Sequence, residues 1–168
     1  MTQYSPLQIQ ALKHQLQCSL EKHLKQAESA LQCSLSAPEI FYNVRGKVAG
    51  KAYLTQWQIR LNPVLLIENP QAFVEEVIPH ELAHLVAYHQ FGRVKPHGKE
   101  WQYIMTNVFG VAPQTCHQFD VTSVQGKTFP YRCQCQDHQL TIRRHNNIIR
   151  NKTTYRCMKC GSQLVQRC

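Results

Sequence analysis

Leucine and alanine recur at three- and four-residue steps near the start of the chain, and this spacing predicts one long amphipathic helix. The apolar positions are Leu7, Ala11, Leu12, Leu16, Leu20, Leu24, Ala27 and Leu31. Pro6 suits the first turn of a helix, where a missing N–H loses no partner. We therefore predict a helix over residues 6–35. Cys18 and Cys33 are interpreted as small side chains of this helix and not as metal ligands.

The pattern then changes to short runs of β-branched and aromatic residues that are separated by turn residues. Residues 40–44, 48–54 and 57–61 are predicted to be strands, the second of them interrupted by Gly50. A short helical turn is expected over residues 64–68. The strands predict a small sheet, arranged as a meander or a hairpin.

Two more helices are predicted after this sheet. Residues 70–90 form a strongly apolar helix that Gly92 ends, and Pro79 either kinks this helix or lies near its start. Residues 98–109 form the other helix, and its apolar residues lie on one side: Trp101, Ile104, Met105 and Val108. Several helices beside a small sheet indicate the α+β fold class.

Charge divides the chain into two predicted domains. Residues 1–125 hold ten Lys/Arg and nine Asp/Glu, a net charge of +1, whereas residues 126–168 hold nine Lys/Arg and the single acid Asp137, a net charge of +8. The second domain is therefore expected to bind a polyanion. No apolar run approaches the ~20 residues that cross a bilayer, and no signal-peptide core is present, so we predict no membrane contact and a cytoplasmic location.

The most specific chemical signal is the segment His80-Glu81-Leu82-Ala83-His84. Two histidines four residues apart share one helix face, so both imidazoles can reach one metal ion. On zinc the pKa of a bound water falls towards ~7, and Glu81 can take its proton. The alternative of two surface histidines is disfavoured, because the apolar flanks bury this helix. The pattern predicts metal-assisted hydrolysis, most often of a peptide bond.

A catalytic zinc normally has three protein ligands, so a third one is expected elsewhere in the chain. His97 and Glu100 can each serve, because they stand at the start of the next predicted helix; the chemistry favours His97. His117 is a weaker alternative. Gly98 is interpreted as making room where the backbone passes near the metal. His89 is turned away from the other two histidines and is expected to be an exposed helix residue.

Four cysteines of the basic domain have the spacing of a structural zinc site. They are Cys133, Cys135, Cys157 and Cys160. The first pair is irregular, since only one residue separates its cysteines, and His138 is an alternative ligand. The repeat of Tyr-Arg-Cys at 131–133 and 155–157 favours Cys133. We predict a zinc ribbon, with Cys116 and Cys168 left unassigned.

A basic hairpin is predicted between the two cysteine pairs. Residues 140–142 and 148–149 would be its strands, and Asn146-Asn147 would be its turn. Four basic residues would crowd this hairpin and are predicted to contact nucleic-acid phosphates: Arg143, Arg144, Arg150 and Lys152. Tyr131 and Tyr155 can either stack on bases or pack beside the zinc.

The combination of these segments resembles the SprT family over nearly the whole chain. The resemblance rests on residues 80–84, on the pair His97-Gly98, on the aromatic Trp101 and on the basic ribbon. It implies a minimal gluzincin-like zinc metalloprotease core of helices packed on a small sheet, with His80, His84 and His97 as zinc ligands and Glu81 as the general base. The eukaryotic relative Spartan degrades proteins crosslinked to DNA.

The sequence thus predicts a zinc metallopeptidase with one catalytic and one structural zinc, which acts on protein substrates and uses DNA as a partner. The alternative is a zinc-stabilised nucleic-acid-binding or regulatory protein without protease activity, whose first metal is structural. Glu81 favours the enzyme, because a structural site has no need of a carboxylate beside its ligands.

Overall fold

A computed structural model describes residues 4–167, which form two units that divide after Val124. The first unit contains α1 (Pro6–Leu31), β1 (Glu39–Phe41), β2 (Gly50–Tyr53), β3 (Gln58–Leu61), α2 (Pro63–Glu68), α3 (Pro70–Ala72), α4 (Ile78–Phe91) and α5 (Lys99–Tyr103). Two π-helical segments, Phe73–Val77 and Ile104–Val108, precede α4 and follow α5. The second unit contains β4 (Thr128–Arg132), β5 (Asp137–Thr141), α6 (Ile142–Ile149) and β6 (Val165–Gln166). The α+β prediction is confirmed.

Helix α1 begins at a capping box, in which Ser5 and Gln8 each bind the backbone N–H of the other. Its buried apolar face is close to the predicted one: Leu12, Leu16, Leu20, Leu24 and Ala27. Leu7, however, is 78% exposed and contributes nothing to this face. The helix ends at Leu31 and not at 35, because Gln32 takes a left-handed conformation that closes the last turn.

The sheet of the first unit has the strand order β1-β3-β2. Strand β2 pairs antiparallel with β3 as a hairpin, but β1 pairs parallel with β3, so the predicted meander is wrong for β1. Parallel neighbours require a crossover, and here β2 and its turns supply it. As a result β2 lies at an edge of the sheet, where it packs against α4.

The helical path is continuous from Pro70 to Phe91, but its α-helical segment α4 begins at Ile78, so Pro79 lies near the start of α4, as one of the two predicted alternatives had it. Because Pro79 has no N–H, a regular α-helical turn would lack one hydrogen bond there. The π-helical segment lies directly before it, and the N–H of Ile78 donates to the carbonyl of Phe73. Over residues 4–167, no helix combines the length and the apolar character needed to cross a membrane.

In the second unit the predicted basic hairpin is wrong, because residues Ile142–Ile149 form the helix α6. The expected turn at 146–147 lies inside this helix, and β5 pairs with β4 instead. The reason is packing: His145 stacks on Phe129 with ring centroids 3.7 Å apart, and Ile148 also packs on this small core. Residues three apart share a helix face, whereas a strand would place them on opposite sides.

Candidate metal centres

Three imidazoles converge in the first unit. His80 and His84 come from α4, and His97 comes from the loop before α5. Their Nε2 atoms are 3.3 Å (His80 to His84), 3.2 Å (His84 to His97) and 3.1 Å (His80 to His97) apart. Tetrahedral zinc with bonds of about 2.0–2.1 Å holds its nitrogens about 3.3–3.4 Å apart. The donor set therefore fits a zinc ion.

Burial and mutual repulsion keep these imidazoles neutral, which is the form that binds a metal. Burial and the neighbouring His97 lower the pKa of His80 to about 4. Burial and both other histidines lower the pKa of His84 to about 3. Burial also lowers the pKa of His97. At neutral pH each of the three imidazoles therefore carries one proton, and its other ring nitrogen keeps the lone pair that can bind a metal.

The orientation of His80 is set by the residues around it. Its Nδ1 lies 3.2 Å from the carbonyl of Gln114, so Nδ1 carries the proton and Nε2 is left with its lone pair. Trp101 is fully buried, and its ring centroid lies 4.7–5.5 Å from those of all three histidines. Its indole N–H donates to the carbonyl of His80 at 3.2 Å. The ring of Trp101 therefore packs against all three imidazoles.

A tight turn brings His97 to the cluster, and Gly98 is the residue that permits it. His97 has a φ of 56°, in the left-handed region, and the N–H of Gly98 donates to the carbonyl of Lys95 at 2.9 Å. A Cβ at Gly98 would lie 2.9 Å from that same carbonyl oxygen. Gly98 therefore makes room for this turn, and its further role of leaving space near a metal stays a prediction.

The two alternative third ligands lie outside the cluster. Among the described residues, only His80, His84 and His97 form this group of potential ligands. The carboxylate of Glu100 lies 4.0 Å from the ammonium of Lys99. His117 Nε2 contacts the carbonyl of Lys47 at 3.1 Å. His89, as predicted, is exposed.

Glu81 lies buried on the side of α4 that faces β2. Its residue is 7% exposed, and burial raises the pKa of its carboxyl group to about 8, although a hydrogen bond from the backbone N–H of Ala52 works in the opposite direction. A Cβ at Gly50 would lie 2.9 Å from both Cγ and Oε1 of Glu81. A carboxylate and three imidazoles thus line one open cleft of about 1010 Å³.

Sequence reasoning missed the contributions of Gly50, Ala52 and Gln114 to this site. Ala52 and Gln114 act through their backbones, so their residue types carry no signal. Gly50 did carry one, because a glycine inside a predicted strand marks a close approach of another group.

The second candidate centre lies in the second unit and is made of sulfur. The Sγ atoms of Cys133 and Cys135 are 3.4 Å apart, and those of Cys135 and Cys157 are 3.7 Å apart. With Cys160 they form one group within 4.8 Å. Tetrahedral zinc with Zn–S bonds of about 2.3 Å holds its sulfurs about 3.8 Å apart, so this set also fits zinc.

His138 stands outside the sulfur group. Its Nε2 lies 3.2 Å from Cys133 Sγ, where an N–H can donate to a thiolate. The structure therefore assembles the four cysteines and places the alternative ligand against one of them. Cys18, Cys33 and Cys116 belong to neither group, and Cys168 lies outside the described residues.

The four basic residues predicted to meet phosphates are all exposed. Arg143 and Arg144 occupy the first turn of α6, and Arg150 and Lys152 follow its end. The alternative that Tyr131 stacks on a base is wrong, because the residue is fully buried and no base can reach its ring. Its hydroxyl group lies 3.1 Å from His145 Nδ1.

Tyr155 is half-buried and can still present its ring. The guanidinium of Arg144 lies 5.5 Å from the centroid of that ring. The ring and the guanidinium therefore form one polar and aromatic surface beside α6, and contact of this surface with nucleic acid stays a prediction.

Known proteins resemble the chain over both units. The SprT-like family model matches residues 20–117, and the SprT-like zinc ribbon domain matches residues 127–167. The chain is 59% identical over 138 residues to a protein named Protein SprT from Vibrio parahaemolyticus, covering 82% of this chain and 84% of that one. Proteins of the same name from Escherichia coli K12 and Shigella dysenteriae are 52% identical over 155 residues, covering 92% of this chain and 94% of theirs. No solved structure matches.

Proposed function

The chain belongs to the SprT-like family and carries the zinc ribbon of that family, and from this premise we propose that it is a zinc-dependent metallopeptidase. One observation carries the proposal: three Nε2 atoms within 3.3 Å of one another share an open cleft with a buried carboxylate. Structural zinc sites are closed by four protein ligands, whereas catalytic sites use three and keep one position open.

The chemistry needs a base beside the metal, and Glu81 is the group that the fold supplies. A zinc ion held by the three imidazoles would act as a Lewis acid and lower the pKa of a bound water. The Glu81 carboxylate would accept a proton from the attacking water, whose oxygen bonds to the scissile carbonyl carbon, and would return it to the amine nitrogen as the C–N bond breaks. Burial raises the pKa of the Glu81 carboxyl group, and the positive charge of a zinc ion held beside it would favour the ionised form that accepts the proton.

The substrates that we propose are proteins associated with DNA, and the ribbon is the part that would bind the DNA. Residues 126–168 hold nine Lys/Arg against one acid, and four of these basic residues are exposed on or next to α6. Neutralised phosphates release counterions, which favours binding. Cysteines kept as metal ligands suit the reducing cytoplasm, which is the location we expect.

The alternative is a zinc-stabilised nucleic-acid-binding or regulatory protein without protease activity. The experiment that separates the two uses the zinc-loaded full chain, a protein substrate free and bound to DNA, and Glu81→Gln as the matched variant. We expect the native chain to cleave the substrate. Glu81→Gln should keep the fold and both zinc ions but lose about 10²–10⁴-fold in rate, because the amide cannot accept the proton.

Two results would contradict this proposal. Equal cleavage by Glu81→Gln would show that Glu81 is not the base. A native chain that holds two zinc ions and cleaves neither the free nor the DNA-bound substrate would favour the regulatory alternative.

A further inference from the structure

The edge strand β2 meets the proposed base at a residue that has no side chain. We propose that Gly50 is a positioning residue of the peptidase: its missing Cβ leaves the space in which the Glu81 carboxylate lies against β2, within reach of the N–H of Ala52. This inference rests on the proposed function, since it concerns the base of that reaction. It adds a residue of the sheet to a site otherwise built from helices and loops.

The register of the hairpin explains why Gly50 and Ala52 face α4. The N–H of Asn62 donates to the carbonyl of Ala49 at 2.7 Å, so these two residues form a hydrogen-bonded pair of the ladder. Such pairs alternate along antiparallel strands, so Lys51 is bonded to β3, whereas Gly50 and Ala52 turn their backbone groups away from it. These backbone groups therefore point to the free edge. The Cβ positions of residues 50 and 52 share one face of the strand, because side chains alternate between faces, and at residue 50 that face meets Glu81 of α4.

Both outward-facing residues contact Glu81. The backbone N–H of Ala52 is close enough to the Glu81 carboxyl group to lower the pKa of that group. A Cβ at Gly50 would lie 2.9 Å from Cγ, 2.9 Å from Oε1 and 3.1 Å from Cδ of Glu81. Carbon atoms in contact normally stand about 3.5–4.0 Å apart. A methyl group at position 50 and the Glu81 carboxylate in its present position therefore cannot occupy this space together.

The backbone conformation does not itself demand glycine at this position. The glycines with positive φ are Gly46, Gly92, Gly110 and Gly161, and Gly50 is not among them. An alanine at position 50 is therefore compatible with the strand. What it displaces is the end of a flexible side chain, which moves more easily than backbone. We expect Gly50→Ala to turn the carboxylate away from Ala52 while the three imidazoles stay together.

A thermal cycle tests the contact without any assay of activity. The first unit contains both tryptophans, Trp57 and Trp101, so their fluorescence reports its unfolding. Gly50→Ala should lower the melting temperature of the native chain by roughly 2–4 °C. The same change in a Glu81→Ala background should leave the melting temperature unchanged, because the space beside residue 50 is then no longer filled by the Glu81 side chain. Equal losses in the two backgrounds would overturn the proposal.

The matched control is a Glu75→Ala background, which removes an exposed carboxylate of the first unit. The three atoms nearest to a Cβ at Gly50 all belong to Glu81, so Gly50→Ala should lower the melting temperature in the Glu75→Ala background by as much as in the native chain. A loss that also vanishes in the Glu75→Ala background would mean that removal of any carboxylate has this effect, and would overturn the proposal.

Kinetics then separate positioning from a merely structural role. Gly50→Ala should keep two zinc ions and a nearly unchanged KM, while kcat falls by at least tenfold towards the ~10²–10⁴-fold loss expected when the base is removed. Loss of the cleft zinc, or an unchanged kcat, would overturn the positioning role. If the native chain hydrolyses nothing, the proposed function fails, while the thermal cycle still decides whether Gly50 accommodates Glu81.

Discussion

The two units of this protein differ in what stabilises each of them. Among its described residues, which begin at Tyr4, the first unit buries an apolar core of 24 residues that runs from α1 through the sheet to the π-helical segment after α5. In the second, the described residues contain a buried cluster of five, and two of those are the cysteines Cys133 and Cys157. A small domain with so little apolar burial needs another source of stability. Under the proposed function, a metal ion would serve catalysis in the first unit, whereas in the second unit it would supply stability that the small apolar cluster lacks.

The largest expected difference between the two units is in how their folding responds to the removal of metal. Replacing Cys157 and Cys160 with Ser should unfold the ribbon, because structural zinc can contribute ~10–16 kcal/mol of apparent binding free energy. Replacing His80 and His84 with Ala should remove the other zinc and leave the first unit folded. Elemental analysis should fall from two zinc ions to one in each case, and amide exchange should locate the unfolding.

The control for the cysteine variant is Cys18→Ser with Cys33→Ser, since both residues lie in α1 or just after it and outside the sulfur group. This pair should keep both zinc ions. A histidine variant that unfolds the first unit would break the comparison.

Packing in the first unit predicts the next largest effect. Leu20 is fully buried in α1, and Leu20→Ala should lower the free energy of unfolding by about 2–5 kcal/mol, because it leaves a cavity. Leu7→Ala is the matched control on the same helix, where the side chain is 78% exposed, and its effect should stay within about 0.5 kcal/mol. Denaturant unfolding followed by tryptophan fluorescence measures both. Similar values for the two variants would contradict the assignment of the buried face.

Charge distinguishes the units in a binding experiment. Changing Arg143, Arg144, Arg150 and Lys152 to Ala should reduce the slope of log K against log salt by roughly three to four units, because each phosphate contact on duplex DNA contributes about 0.9. DNA binding at several salt concentrations measures the slope. The zinc content should stay unchanged, since none of these residues is a ligand.

The charge-matched control uses four exposed basic residues of the first unit: Lys22, Lys25, Arg93 and Lys99. Their replacement by Ala should leave the salt slope unchanged. An equal reduction of the salt slope by both quadruple variants would mean that DNA binding depends on the total charge of the chain and not on the surface of the ribbon.

The smallest effect concerns pH and belongs to the first unit. His23 is buried beside Phe109, with its Nδ1 2.7 Å from the carbonyl of Ser19, and burial lowers its pKa. The folded state therefore prefers the neutral imidazole. Its contribution to stability is complete above the unfolded pKa of about 6.5 and is lost as pH falls below that value.

We expect the free energy of unfolding to fall more steeply between pH 7 and pH 5 in the native chain than in His23→Gln. Both proteins keep all zinc ligands, so the difference between their curves isolates His23. Parallel curves would show that protonation of His23 is not linked to folding.

Local pattern was sufficient for much of the fold and for most members of the two candidate ligand groups. The leucine spacing of α1, the apolar helix that carries His80 and His84, and the cysteine spacing of the ribbon are periodicities or short-range motifs. Pattern failed at β1, whose parallel pairing with β3 is a long-range contact, and at α6. There the Asn146-Asn147 turn signal is overridden by the packing of His145 and Ile148 on the sheet. Both errors concern contacts between elements.

The sequence by itself determined that two ligand sets exist, that one contains a carboxylate beside its histidines, and that positive charge collects in residues 126–168. Only the tertiary structure decided between His97 and Glu100 as the residue brought to the cluster, and between Cys133 and His138 in the sulfur group. It alone revealed that Gly50 meets Glu81. Residue type and spacing encode the chemistry, but distances of about 3 Å between distant segments arise only when turns, strand register and a shared core bring those segments together.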